Sequence, residues 1–251
     1  MGKKSGWGLI FKEFYMSKTY LQNSAFAMLI ISILVVLPLA SFRYGNLRLI
    51  TSDEAELFYT MAVMYGKYIP VYMFSMVCFT NMEAGIKEES TKWKRFRLVT
   101  PVSGFQYAFY KYAFTFMMSC IMIAGSMIYF IIFDALFGGD NRLGELGLVI
   151  GMLGAFLLLE TVMLVYGEFL GSYDKAGLAG VLTFFCIFGL VGYLFREKLV
   201  ILADFMQLED QALLNMEKLG HLIFPYALIL FLAAYPIGIF FVGLVYKRRE
   251  K

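Results

Sequence analysis

Apolar residues run through this chain in stretches of about 20, parted by short polar breaks. A helix needs that length to cross a hydrocarbon layer about 30 Å thick. Six such stretches fall at about 21–42, 57–81, 104–133, 147–170, 177–195 and 222–246. The short alternating segments of a membrane barrel are absent, and the periodicity is helical. The expected fold class is therefore all-α: a polytopic membrane protein with six transmembrane helices, forming one domain over residues 1–251.

Three polar or mixed stretches stand apart from the spans. In residues 1–20, Trp7, Ile10, Phe11 and Phe14 repeat at helical spacing, with Lys12, Glu13 and Lys18 on the remaining arc. This pattern predicts an amphipathic helix lying in the membrane interface. Residues 196–220 mix apolar and charged positions; Leu199, Leu202 and Met206 can share one helical face, which predicts one or two short external helices. Residues 134–146 read as a plain polar loop.

Composition agrees with the spans. Of 251 residues, 60% are hydrophobic and only 16% charged, whereas soluble domains carry about 25% charged residues. A net charge of +3 implies nothing about nucleic acid, and no nucleic-acid partner is expected. Cys78, Cys120 and Cys186 lie inside apolar runs with no metal-ligand spacing, so they read as small buried hydrophobes. No cleavable signal peptide is visible. Orientation follows from the basic residues. With the N-terminus inside, the outer loops hold six, namely Arg43, Arg48, Arg142, Arg196, Lys198 and Lys218, against fourteen inside, with Lys67 and Lys111 within spans. Both termini are thus expected to be cytoplasmic.

Ionisable residues at membrane depth are costly and mark function. Lys67 lies in the second span and Glu160 in the fourth, at about 15 and 20 Å from the outer end at ~1.5 Å per residue. They read as an intramembrane ion pair, as pathway-lining groups or as a coupled ion site. Glu168 is expected to snorkel at the inner end of span four, and Lys111 to reach the inner headgroups or a partner. Pro225 and Pro236 are expected to kink span six, and Gly167 and Gly171 form a GxxxG. His221, the single histidine, has no ligand company, so no metal and no catalytic residue is predicted.

Residues 83–111 form the longest charged run between spans, with Lys87, Lys92, Lys94, Arg95 and Arg97 close together. Ser90 and Thr91 suit the start of a short helix through Trp93 and Phe96 that ends before Pro101. Such a helix either binds anionic headgroups or docks a soluble partner with Trp93 as anchor; physics alone leaves both open.

The order of features resembles a known family. An N-terminal interfacial segment and two spans are followed by an acidic-then-basic segment, then Leu98-Val99-Thr100-Pro101-Val102-Ser103, an aromatic-rich span start and Lys111. This is similar to the ABC-2-type permeases, the membrane half of one class of ATP-driven transporters, and most like small bacterial permeases for peptide export or immunity, such as phenol-soluble modulin exporters and lantibiotic immunity subunits. The resemblance implies that 83–103 is a coupling segment, with Glu88, Glu89, Thr91, Lys92, Trp93, Lys94, Arg95 and Phe96 touching a separate ATPase subunit. It also implies two permease chains, identical or siblings, and a bacterial plasma-membrane location. No GxxxxGK[ST] occurs, so ATP and Mg²⁺ are expected in the partner, and this chain is expected to be no enzyme and to bind no cofactor of its own.

Amphipathic or hydrophobic peptides are the expected cargo, with 26 Phe, 17 Tyr and 16 Met supplying surfaces that re-pack around varied shapes. A lipid or hydrophobic drug is the alternative cargo, and a channel or scaffold without ATP coupling the alternative class. A membrane enzyme finds no HExxH, no GxSxG and no paired intramembrane aspartates.

Overall fold

In a computed structural model of the chain, residues 4–45, 58–63, 65–68, 79–91, 93, 102–138, 142–194 and 212–249 are described. They are helical throughout, apart from caps and turns. Six elements follow in order: α1 (Lys4–Tyr44), α2 (Thr80–Ser90), α3 (Gly104–Phe137), α4 (Arg142–Leu170), α5 (Tyr173–Leu194) and α6 (Ala212–Arg249). Residues 58–63 and 65–68 are also helical. Segments of α1, α3, α4 and α6 are long and apolar enough to cross a membrane, and α5 contains the shorter apolar stretch Lys175–Ile187.

Helix α4 is the centre of the bundle. Over half (56%) of its apolar stretch is buried, against 11% in α1. It packs on α6, α5, α3 and α2, and Leu153, Leu157 and Leu164 are almost fully enclosed. Gly154 lets α6 come close, since a Cβ there would lie 3.0 Å from the backbone nitrogen of Phe231. Small residues serve this purpose wherever membrane helices cross tightly.

Several boundaries differ from those expected. No break separates residues 1–20 from the first span: α1 is one helix of 41 residues, about 60 Å long at ~1.5 Å per residue. Trp7, Phe11 and Phe14 are exposed on it, whereas Glu13 and Ser17 are buried. Lys12, Glu13 and Ser17 therefore face protein, whereas Lys18 and the aromatic arc face out. Residues 212–220 are the first turns of α6 rather than a separate external helix; the rest of the predicted external segment lies outside the described residues. Pro225 and Pro236 both lie inside α6, which is one uninterrupted element. The predicted outer loop shrinks too, because α3 runs on to Phe137 and α4 begins at Arg142.

Ser103 starts α3 with a reciprocal cap: its hydroxyl accepts from the Gln106 N–H, and its own N–H donates to the Gln106 side chain. This is a capping box. At the other turn, Gly171 closes α4 with φ +69°, a left-handed conformation suited to glycine. The Gly167–Gly171 pair is thus no helix-crossing motif. Gly167 instead receives the Tyr173 ring, which also lies against Gly85. Gly167→Leu is expected to lower stability by about 1–3 kcal/mol through overpacking, read as a lower unfolding temperature in detergent; Gly171→Asn, which tolerates positive φ, should change it far less.

Candidate functional site

Helix α2 touches α1, α3, α4 and α5, and its two ends are held by different chemistry. Its N-cap residue, Phe79, has no side chain able to cap. The cap comes from α4. Glu160 accepts the backbone N–H of Asn81 at 2.8 Å and of Met82 at 3.3 Å, and the Asn81 amide donates to its second oxygen at 3.2 Å. A carboxyl oxygen at a helix N-terminus satisfies donors that the helix itself leaves free. Asn81 also donates to Thr115 of α3 at 2.6 Å, and Lys111 of α3 donates to the Asn81 carbonyl at 3.4 Å.

The other end of α2 carries Glu88, which is buried in a network of two cations and two anions. Lys12 bonds Glu88 and, at 2.9 Å, Glu13. Lys111 lies 3.3 Å from Glu13 and 3.5 Å from Glu88. The Tyr107 hydroxyl donates to Glu88 and accepts from Lys12, whose ammonium lies 4.7 Å from the Tyr107 ring centroid. Lys111 is 0%, Glu88 1% and Glu13 2% exposed, so solvent does little to screen these charges. Burial alone would raise the Glu88 pKa, but the Lys111 and Lys12 charges overcome it and hold the carboxyl down at about 2. Removing an ion from water costs several kcal/mol. The network compensates by balancing charge and giving Glu88 three partners, and in doing so it ties α1, α2 and α3 together.

This end of the bundle is where α1 begins and α6 ends, since Gly104 at the start of α3 lies against Tyr246 and Lys247. At the far end, Lys67 bonds Glu145 of α4 and lies 2.5 Å from Asp134 of α3. All three side chains are largely buried.

These contacts correct several sequence expectations. Lys67 and Glu160 do not pair. Glu160 lies fifteen residues along α4 from Glu145, or about 22 Å at ~1.5 Å per residue, because α4 starts earlier than its apolar run. Lys111 does not reach toward headgroups; two carboxylates hold it inside. Glu168 does not snorkel: it is 1% exposed and accepts the Tyr173 hydroxyl at 2.5 Å.

The predicted partner-contact residues divide. Glu88 is buried and committed to Lys12 and Lys111, so it offers no outer surface. Glu89 is exposed and accepts the Tyr173 N–H at 3.3 Å. Thr91 is exposed, and Trp93 is half-buried with its ring centroid 5.8 Å from the Lys12 ammonium. Lys92, Lys94, Arg95 and Phe96 lie outside the described residues. Ser90 and Thr91 close α2, because their hydroxyls donate to the Lys87 carbonyl at 3.0 and 2.6 Å; Trp93 is again helical, and the rest of the predicted short helix lies outside the described residues. A hydroxyl satisfies either helix terminus, as acceptor at one and donor at the other.

Sequence reasoning missed Lys12, Glu13, Asn81, Tyr107 and Thr115. The available signal was Lys111 itself: a cation inside a span needs a carboxylate nearby, and Glu13 is an acid near the same membrane side. No group of three or more His, Cys, Asp or Glu among the described residues is placed to hold a metal ion.

Residues 55–247 match the family model described as ABC-2 family transporter protein. No curated protein and no solved structure matches the chain.

Proposed function

Because the chain belongs to the ABC-2 family of transporter proteins, as a multi-pass membrane permease of an ABC transporter, we propose that it exports amphipathic or hydrophobic peptides and takes its driving force from a separate ATPase subunit. Two permease chains and two ATPase chains form the working unit. The end of the bundle with the Lys12–Glu88–Lys111 network faces the cytoplasm, and the ATPase docks beside it, on Glu89, Thr91, Trp93 and the basic residues that follow.

The observation that supports this reading is the double anchorage of α2. The helix leads directly into the segment through Trp93, and the bundle grips it at Glu160 on one end and at Lys12 and Lys111 on the other. A pull on that segment reaches α1 and α3 through buried ion pairs and α4 through buried hydrogen bonds. Salt screens such buried bonds little.

The test is purification from native membranes under mild detergent, with identification of what accompanies the chain. A stoichiometric P-loop ATPase is expected. Trp93→Ala should weaken its retention by about 2 kcal/mol, roughly thirtyfold, if Trp93 is the anchor. A chain that purifies alone and conducts solutes in liposomes without ATP overturns the reading in favour of a channel.

A further inference from the structure

On the surface of the bundle, α3 and α6 leave an open groove of about 300 Å³ lined by Phe109, Tyr112, Ala113, Phe116, Leu232, Tyr235 and Ile239. We propose that this groove binds one acyl chain of an anionic phospholipid from the cytoplasmic leaflet, with the lipid phosphate at Lys247. The choice of leaflet rests on the orientation proposed above.

The chemistry of the walls selects hydrocarbon. Both tyrosine hydroxyls face away from an occupant and are already bonded, Tyr112 with Thr161 at 2.6 Å and Tyr235 with Ser119 at 3.0 Å. What remains toward the groove is ring face and aliphatic carbon, with Phe109 and Phe116 about half exposed. The volume sits at the lower limit of small-molecule pockets, about 300 Å³, which suits a narrow chain and not a folded peptide.

Depth agrees with an acyl chain. Gly104 abuts Lys247 and marks the cytoplasmic corner of the α3–α6 seam. Counted along the helices from that corner at ~1.5 Å per residue, the lining positions lie roughly 8 to 22 Å inward. One leaflet's hydrocarbon occupies about 15 Å, so the groove covers the chain region and stops short of the headgroups.

Charge at the corner selects an anion. Lys247 is exposed there, and the N-terminal end of α3, with its positive dipole, begins beside it. Basic residues at the cytoplasmic ends of membrane helices attract anionic lipids. The two observations are independent: the groove asks for a hydrocarbon chain, the corner asks for negative charge, and a phospholipid joins them at about this distance.

The test uses the full permease complex in mild detergent, loaded with phosphatidylglycerol or phosphatidylcholine and analysed by native mass spectrometry. One phosphatidylglycerol per chain should be retained in preference to phosphatidylcholine. Ala113→Trp fills the groove and should abolish that retention; Leu232→Trp, on the opposite wall, should do the same if the first variant fails to fold. Lys247→Glu should keep a bound lipid but lose the preference for phosphatidylglycerol by tenfold or more. Unchanged retention in folded groove variants overturns the proposal. So does efficient cross-linking of Ala113→Cys to a second copy, which would assign the groove to a chain interface. ATPase co-purification and the sidedness of labelling at Lys247→Cys, measured on the same material, show separately whether the proposed function or orientation has failed.

Discussion

Glu88→Ala is expected to lower stability by about 3–5 kcal/mol, the usual cost of leaving buried charge uncompensated. The substitution leaves Lys12 and Lys111 sharing only Glu13, while Lys111 stays fully enclosed. Thermal unfolding in detergent measures the loss. The double variant Glu88→Ala/Lys111→Met should regain at least half of it, because it removes one charge of each sign and leaves Lys12 with Glu13. A pair removed together costs less than either member removed alone. Equal or additive losses would mean that Glu88 acts through packing, not charge. Acid should act in the same direction as the mutation. The folded-state pKa of Glu88 is about 2 against an ordinary 4.5, so its contribution is fully present above about 4.5. It declines as pH falls from there through about 2. Glu88→Gln should flatten this part of the acid-stability profile.

Glu160→Ala is the second large effect. The substitution removes the acceptor for the Asn81 and Met82 N–H groups at a buried helix end. Unsatisfied buried donors cost about 1–3 kcal/mol each, so a loss of about 2–5 kcal/mol is expected. Glu160→Gln keeps a carbonyl oxygen for the two backbone donors and should lose about half as much, since its amide nitrogen cannot accept from the Asn81 side chain. Function should separate the two kinds of damage. With α2 released from α4 but still held at Glu88, the ATPase should stay bound while transport in vesicles falls more than tenfold. Loss of ATPase binding in parallel with transport would instead point to general unfolding.

What the sequence made legible follows from what hydropathy can detect. The apolar cores of α3, α4, α5 and α6 are visible because length and composition alone define them. The family was legible too, through the order of segments around residues 83–111. The site was legible only in part. Lys67, Lys111 and Glu160 stand out as charges within apolar runs, but a run does not say which neighbour answers them. Asp134 and Glu145 looked like loop residues because helices α3 and α4 continue past their apolar stretches. Glu88 looked like surface because its own segment is polar; its burial depends on Lys12, 76 positions earlier in the chain. The Ser90-Thr91 pair marks a helix boundary, but its hydroxyls close α2, since hydroxyls finish helices as well as they begin them.

The order of the charged partners along the chain has a consequence for biogenesis. Lys111 enters the membrane within α3, after both of its anions: Glu13 and Glu88 precede it in the chain. Glu160 likewise follows Asn81 and Met82, the donors that it caps. Because a chain is made from its N-terminus, each of these two buried groups meets partners already synthesised and need not wait exposed in lipid. Lys67 is the reverse case, arriving before Asp134 and Glu145. Its segment therefore has to remain near water, or move late, until the α3–α4 turn has been made, so the far end of the bundle closes after the Lys111 network, and the Glu160 cap follows it.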